Sequence, residues 1–182
     1  QEAGIQARLY PSAAEMKWSK MLTNLFTNAT CAILGLTPGE VLSHPGLFHL
    51  EAMQLREALT VMRRQNIGII DLPGTPVRAL AFAMQSLPEL LTRPLIRHTA
   101  ARGRGNKMPS LAIDLSLKHG KSEVDYLNGA VVRYGEKLNV LTPVNRLLND
   151  TLLGIVRGEV QDSDYYRQPE KLLQRLSFPV PG

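Results

Sequence analysis

Cysteine is almost missing from this sequence: Cys31 stands alone among 182 residues. That excludes an internal disulfide, and the usage suits a reducing compartment such as the cytoplasm. Aromatic residues make up 5% of the chain, leaving little material for the stacking platforms of single-strand nucleic-acid binders. No run of about 18 apolar residues occurs, so no membrane-spanning helix is expected. The opening QEAGIQARLYPS has neither an apolar core nor an initiating methionine. It therefore reads as the start of a fragment or processed product rather than as a signal peptide.

Metal and phosphate signatures are missing as well. His44, His49, His98 and His119 show no i, i+4 pairing and Cys31 has no near partner, so no metal site is expected. Gly103-Arg104-Gly105 lacks the third glycine of a dinucleotide fingerprint and neither follows a strand nor opens a helix. No GxxxxGK run is present, and nothing marks a nucleophile elbow. By itself the chain is not expected to hold a nicotinamide nucleotide in the usual βαβ way.

Hydrophobic content of 44% with 20% charged residues is ordinary for a globular protein. The length suits a single domain, residues 1–182, with a proper core. The net charge of +5 owes much to RHTAARGRGNK, where Arg97, Arg102, Arg104 and Lys107 occur without intervening acids. This stretch reads as a solvated loop, with an anion or partner contact as the alternative. Nucleic acid is the weakest reading, because no aromatics interleave with the cations.

The periodicity is helical nearly throughout and predicts an all-α, multi-helix fold. Ser12-Ala-Ala-Glu15 is a capping box, opening a helix expected to run unbroken to about Leu34 and to stop at Gly35. Its apolar arc comprises Trp18, Met21, Leu22, Leu25, Phe26, Ala29, Ala32 and Ile33. Thr37-Pro38-Gly39-Glu40 repeats the capping logic for a short helix, and a longer one follows from about Gly46 to Gln65. NIGIIDLPGTP reads as an extended connector. Helices are expected from Pro76 to Gln85 and from Pro88 to about Thr99, with the basic loop running on to Pro109. A segment from Ser110 to Lys118 turns at KHGK. Ser122 caps a helix to Leu138 with Asp125 as its third residue. Thr142-Pro143 opens another to about Arg157, a last helix spans roughly Tyr165 to Leu176, and SFPVPG is expected to fray.

On the first helix Lys20, Asn24 and Asn28 fall in one row at i, i+4 spacing. Asparagine is a poor helix former, so the row is either an ordinary wet face with weak residue choices or the wall of a binding site. A lysine can bind a carboxylate or give a proton to an oxygen that gains negative charge, and two amides can hydrogen-bond a small polar ligand. Spacing alone leaves both open. Ser110, after Pro109, reads equally as an N-cap, and Glu123 as an acid that compensates a helix dipole.

Two stretches carry a family resemblance. Trp18-Ser-Lys20 with Asn24, Asn28 and Gly39-Glu40, and Ser122-Glu-Val-Asp-Tyr-Leu-Asn-Gly129 with Thr142-Pro-Val-Asn-Arg146, resemble the C-terminal domain of ketopantoate reductases (2-dehydropantoate 2-reductases). DLPGTPV, residues 71–77, fits that family's connector, and the resemblance covers roughly residues 4–155. It implies a fold similar to the C-terminal domain of 6-phosphogluconate dehydrogenase. It also implies a missing N-terminal Rossmann domain for NADPH, a small 2-oxo acid as substrate, and a substrate-binding and dimerisation role for this chain, which alone would be inactive.

By the family pattern, Lys20 matches the catalytic lysine that protonates the alkoxide, and Asn24 and Asn28 match substrate-binding amides. Ser110 matches a serine at the substrate carboxylate, and Glu123 the acid near the lysine and the cofactor ribose. Pro38 stands where the family has asparagine, and Pro109 where it has a paired serine. The stretch from Ser110 to Glu123 is one residue longer than the common spacing. A 2-oxo acid other than ketopantoate is therefore also expected. The rival reading is a non-catalytic helical binding or assembly module of the same architecture.

Overall fold

The computed structural model describes residues 10–103, 108–116 and 122–176. Among these described residues the elements are ten α-helices: α1 Ala13–Leu25, α2 Asn28–Leu34, α3 Pro38–Ser43, α4 Pro45–Arg64, α5 Val77–Ser86, α6 Glu89–Gly103, α7 Ser110–Ser116, α8 Val124–Lys137, α9 Pro143–Val156 and α10 Pro169–Leu173, with a 3-10 turn at Asp162–Asp164 before α10. Among the described residues the only β-structure is an isolated bridge between Leu72 and Thr75 in the expected connector. The all-α expectation holds.

Local signals set several helix starts. The Ser12 side chain accepts from the Glu15 N–H at 3.2 Å. Thr37 and Glu40 form a reciprocal capping box, with Pro38 at the first turn of α3. Gly35 ends α2 in the left-handed region at φ 61°, where a side chain would also run into the ring of Tyr166.

The helix expected to run unbroken from Ser12 to Leu34 is two helices. It breaks at Phe26-Thr27, where Thr27 takes φ 62°, and the two halves bury their apolar faces in different places. Trp18, Leu22 and Leu25 join a cluster with Phe48, Leu55, Met62 and Val77. Ala29, Ile33 and Leu34 join a separate cluster with Leu50, Leu148 and Leu152.

The twenty-residue α4 contributes side chains to both clusters and packs against α1, α3, α5, α8, α9 and α10. Edge-on contact between Trp18 and Tyr134, centroids 5.5 Å apart, ties α1 to α8. Helices α8 and α9 pack on each other, and α2 packs on α7 and α9.

Three further expectations change. Helix α6 continues to Gly103, so Arg97 and Arg102 lie on a helix rather than in a loop. Arg104 and Lys107 lie outside the described residues, as do the expected turn at 118–121 and the tail 177–182. The single helix from Tyr165 to Leu176 is instead a turn followed by five-residue α10, because Pro169 starts a new helix at its N1 position. Helix α8 starts one residue late: Glu123 is its N-cap and Ser122 Oγ accepts from Val124 N–H at 3.2 Å.

Candidate functional site

Breaking a helix strands backbone groups, because the last carbonyls of one piece and the first amides of the next lose their partners. At the α1–α2 break, α4 supplies replacements. Gln54 Nε2 donates to the Leu25 carbonyl at 2.9 Å, and Glu51 Oε2 accepts from Thr27 N–H at 2.7 Å. The Thr30 hydroxyl donates to Glu51 Oε1. Both Glu51 and Gln54 are wholly buried.

Immediately after the break comes Asn28, buried at 6% exposure. Its Oδ1 accepts from the Leu111 backbone N–H at 3.1 Å, and its Nδ2 donates to Ser110 Oγ at 3.4 Å. Leu111 is the second residue of α7, so Asn28 acts as a cap supplied by another helix. The same contact fixes Ser110, which is exposed at the first position of α7.

The structure thus joins two of the five sequence-predicted site residues directly. Lys20 and Asn24 are both exposed, one turn apart on α1. Asn28 does not continue their helix, so the three form no unbroken row. Glu123 is exposed at the N-cap of α8 and its side chain makes no capping bond. Lys20, Asn24 and Glu123 make no side-chain hydrogen bond or ion pair with one another.

A buried polar chain that sequence reasoning missed meets the α1–α2 break at Gln54. Asn128 Nδ2 donates to Gln54 Oε1 and to Asn145 Oδ1, both at 3.1 Å. Asn145 Nδ2 in turn donates to the Gln54 carbonyl at 3.0 Å and to Glu57 Oε2 at 2.7 Å. Glu57 also accepts from the backbone N–H groups of Val144 and Asn145, at 2.8 and 2.9 Å, at the start of α9. The available signal was Glu51, Gln54 and Glu57 at i, i+3, i+6 on α4, three polar groups sharing one helix face.

Burial dominates the electrostatics here. It pushes the Glu51 carboxyl up to about 7, against the lowering effect of hydrogen bonds from Thr30 and Thr27. Burial also raises Glu57, opposed by its bonds from Asn145 and Val144. The Cys31 thiol is raised by burial first and by the neighbouring Glu51 second, which makes it an inert core group.

Comparison with known proteins shows the family. Residues 13–156 match the family model described as Ketopantoate reductase PanE/ApbA C terminal. A 2-dehydropantoate 2-reductase of Pyrobaculum aerophilum is 30% identical over 148 residues, covering 81% of this chain and 46% of the relative. That of Archaeoglobus fulgidus is 27% identical over 158 residues, covering 86% and 44%. Among solved structures, a PanE/ApbA family ketopantoate reductase from Ralstonia eutropha JMP134 is similar with TM-score 0.66 at 23% identity, covering 86% of this chain and 45% of that one. A D-mandelate dehydrogenase solved with NADH gives TM-score 0.65 at 22% identity, covering 85% and 46%. At such identities the structural likeness speaks for the fold. The chain spans less than half the length of both sequence relatives.

Proposed function

We propose, since the chain belongs to the family of ketopantoate reductase C-terminal domains, that it is the substrate-holding half of an NADPH-dependent 2-oxo-acid reductase. Ketopantoate reduction to pantoate, in pantothenate biosynthesis, is the leading case. In this reading residues 1–182 form one substrate-binding and dimerisation domain, an N-terminal Rossmann domain holds the dinucleotide, and the chain alone turns over little or nothing. The observation that most supports it is the join between Asn28 and Ser110, 82 positions apart in sequence, which are two residues that the family pattern assigns to substrate.

Reducing a ketone places negative charge on its oxygen, so the site needs a proton donor that also stabilises an oxyanion. Lys20 fills that role: an ammonium carries three donor hydrogens, and the exposed Lys20 side chain forms no ion pair among the described residues. Asn24, one turn further, offers a carboxamide on the same helix face. Ser110 uses a lone pair to accept from Asn28, which leaves its own O–H free to donate to a substrate carboxylate. Asn28 keeps a second Nδ2 hydrogen for the same ligand.

The dinucleotide, when bound, supplies the hydride to the carbonyl carbon. Glu123 fits a place beside it, because its exposed carboxylate is not consumed by capping α8 and can accept from a ribose hydroxyl or hold Lys20.

Replacing Lys20→Ala in the complete protein is expected to lower kcat by about 10²–10⁴-fold, the usual range for a lost general acid. Steady-state assays with NADPH across a panel of 2-oxo acids measure it, and near-normal turnover of the variant rejects the assignment.

A further inference from the structure

We infer that Glu51 is a positioning residue: from the middle of α4 it pins the α1–α2 break and so sets Asn28 against Ser110. The inference rests on the substrate-site reading above and adds a residue which that reading does not contain.

The argument begins with Thr27. A β-branched residue at φ 62° is an outlier that persists only where its surroundings over-determine it. Left to local preference, residues 13–34 read as one continuous helix. In that form Thr27 N–H and the Leu25 carbonyl would find partners within the helix, and Asn28 would follow Lys20 and Asn24 along one row. The observed break instead needs outside partners for both groups. Glu51 accepts the Thr27 N–H and the Thr30 hydroxyl, so it grips the chain on both sides of Asn28. Gln54 holds the Leu25 carbonyl and also donates to Glu51 Oε2 at 3.3 Å.

Asn28 is thus bracketed by two residues that Glu51 holds, and its amide reaches Ser110 and Leu111 on α7. Among the described residues Glu51 hydrogen-bonds none of the residues assigned to substrate. Its influence must pass through the backbone of residues 27–30.

Chemistry distinguishes this role from simple core filling. Every bond to Glu51 is donated to it, by Thr27, Thr30 and Gln54. The Cys31 thiol on α2 is its ionisable neighbour, and no cation is paired with it among the described residues. A glutamine can serve in its place: its oxygen accepts from Thr27 and Gln54 while its amide donates to the Thr30 oxygen. A leucine of similar size leaves Thr27 N–H orphaned.

The test uses the complete protein and a 2-oxo acid that it reduces. Glu51→Leu is expected to raise KM about ten-fold, the equivalent of one lost buried hydrogen bond, with kcat within about three-fold of wild type. Glu51→Gln is expected to restore KM. Asn28→Ala should raise KM similarly, and the Glu51→Leu, Asn28→Ala double variant should be no worse than Asn28→Ala alone, as for residues acting through one contact. Hydrogen exchange at the Leu111 amide should quicken in both single variants.

If Glu51→Leu does not fold, Thr30→Val, which removes one of the two grips at similar volume, is expected to raise KM about three-fold and to be non-additive with Asn28→Ala. An unchanged KM in the grip variant, a glutamine as damaging as leucine, or additive effects with Asn28→Ala each overturn the positioning role alone. An unchanged KM in Asn28→Ala overturns the substrate-site reading beneath it.

Discussion

Glu51 is a carboxyl group withdrawn from water with no counter-charge among the described residues, which favours its protonated form. Its pKa is about 7 in the folded chain against an ordinary 4.5, so the native state holds the proton more tightly than the unfolded chain does. Stability from this group is therefore fully present below pH about 4.5 and is lost as pH rises through about 7. The size is roughly 3 kcal/mol, at about 1.4 kcal/mol per pKa unit. Urea unfolding of the chain between pH 5 and 8 is expected to show stability falling as pH rises, with a clearly flatter profile for Glu51→Gln. Glu57, raised by burial in the same direction, leaves a residual slope of the same sign in that variant. A variant slope equal to wild type would mean that Glu51 does not titrate as described.

At the scale of elements, three helices begin on side chains borrowed from elsewhere. Glu51 serves the start of α2, Asn28 the start of α7 and Glu57 the start of α9. Thr142, the N-cap of α9, makes no side-chain capping bond of its own. Glu57→Ala is accordingly expected to cost about 1–3 kcal/mol in urea unfolding, since it orphans two first-turn amides and removes one of the two bonds that Asn145 Nδ2 donates. Glu57→Gln, which keeps one acceptor, should cost less.

These borrowed caps also mark how far the sequence could be read. Ser12 with Glu15 and Thr37 with Glu40 were legible because donor and acceptor lie three residues apart. The partners of Glu57 lie 87 and 88 positions away, and no local spacing announces them. The break at Thr27 was illegible for the same reason, since residues 13–34 read locally as one helix and the side chains that break it sit on α4. Within the site, the family motifs marked Asn28 and Ser110, and folding brought them together. Glu51 and Gln54 carry no local motif, and only their burial marks them.

Over the whole molecule the question is whether two apolar clusters make one folding unit. The first holds Cys31, Leu47, Leu50 and Leu152, and the second holds Trp18, Phe48, Ala52 and Leu55. Successive residues of α4 thus serve opposite sides, so neither cluster can disperse without unseating the helix that the other packs on. The Gln54, Asn128 and Asn145 bonds add a polar tie across α4, α8 and α9, and buried networks of this kind break together. Unfolding is therefore expected to be a single transition. Two native residues report it from the two sides: Trp18 fluorescence for the second cluster and thiol labelling of buried Cys31 for the first. Leu152→Ala and Phe48→Ala should each cost about 2–5 kcal/mol, and in both variants the two probes should move together. If Leu152→Ala opened Cys31 to labelling at denaturant concentrations where Trp18 stayed native, α4 would not be coupling the halves, and the clamp by which it holds the α1–α2 break would have to act within one half alone.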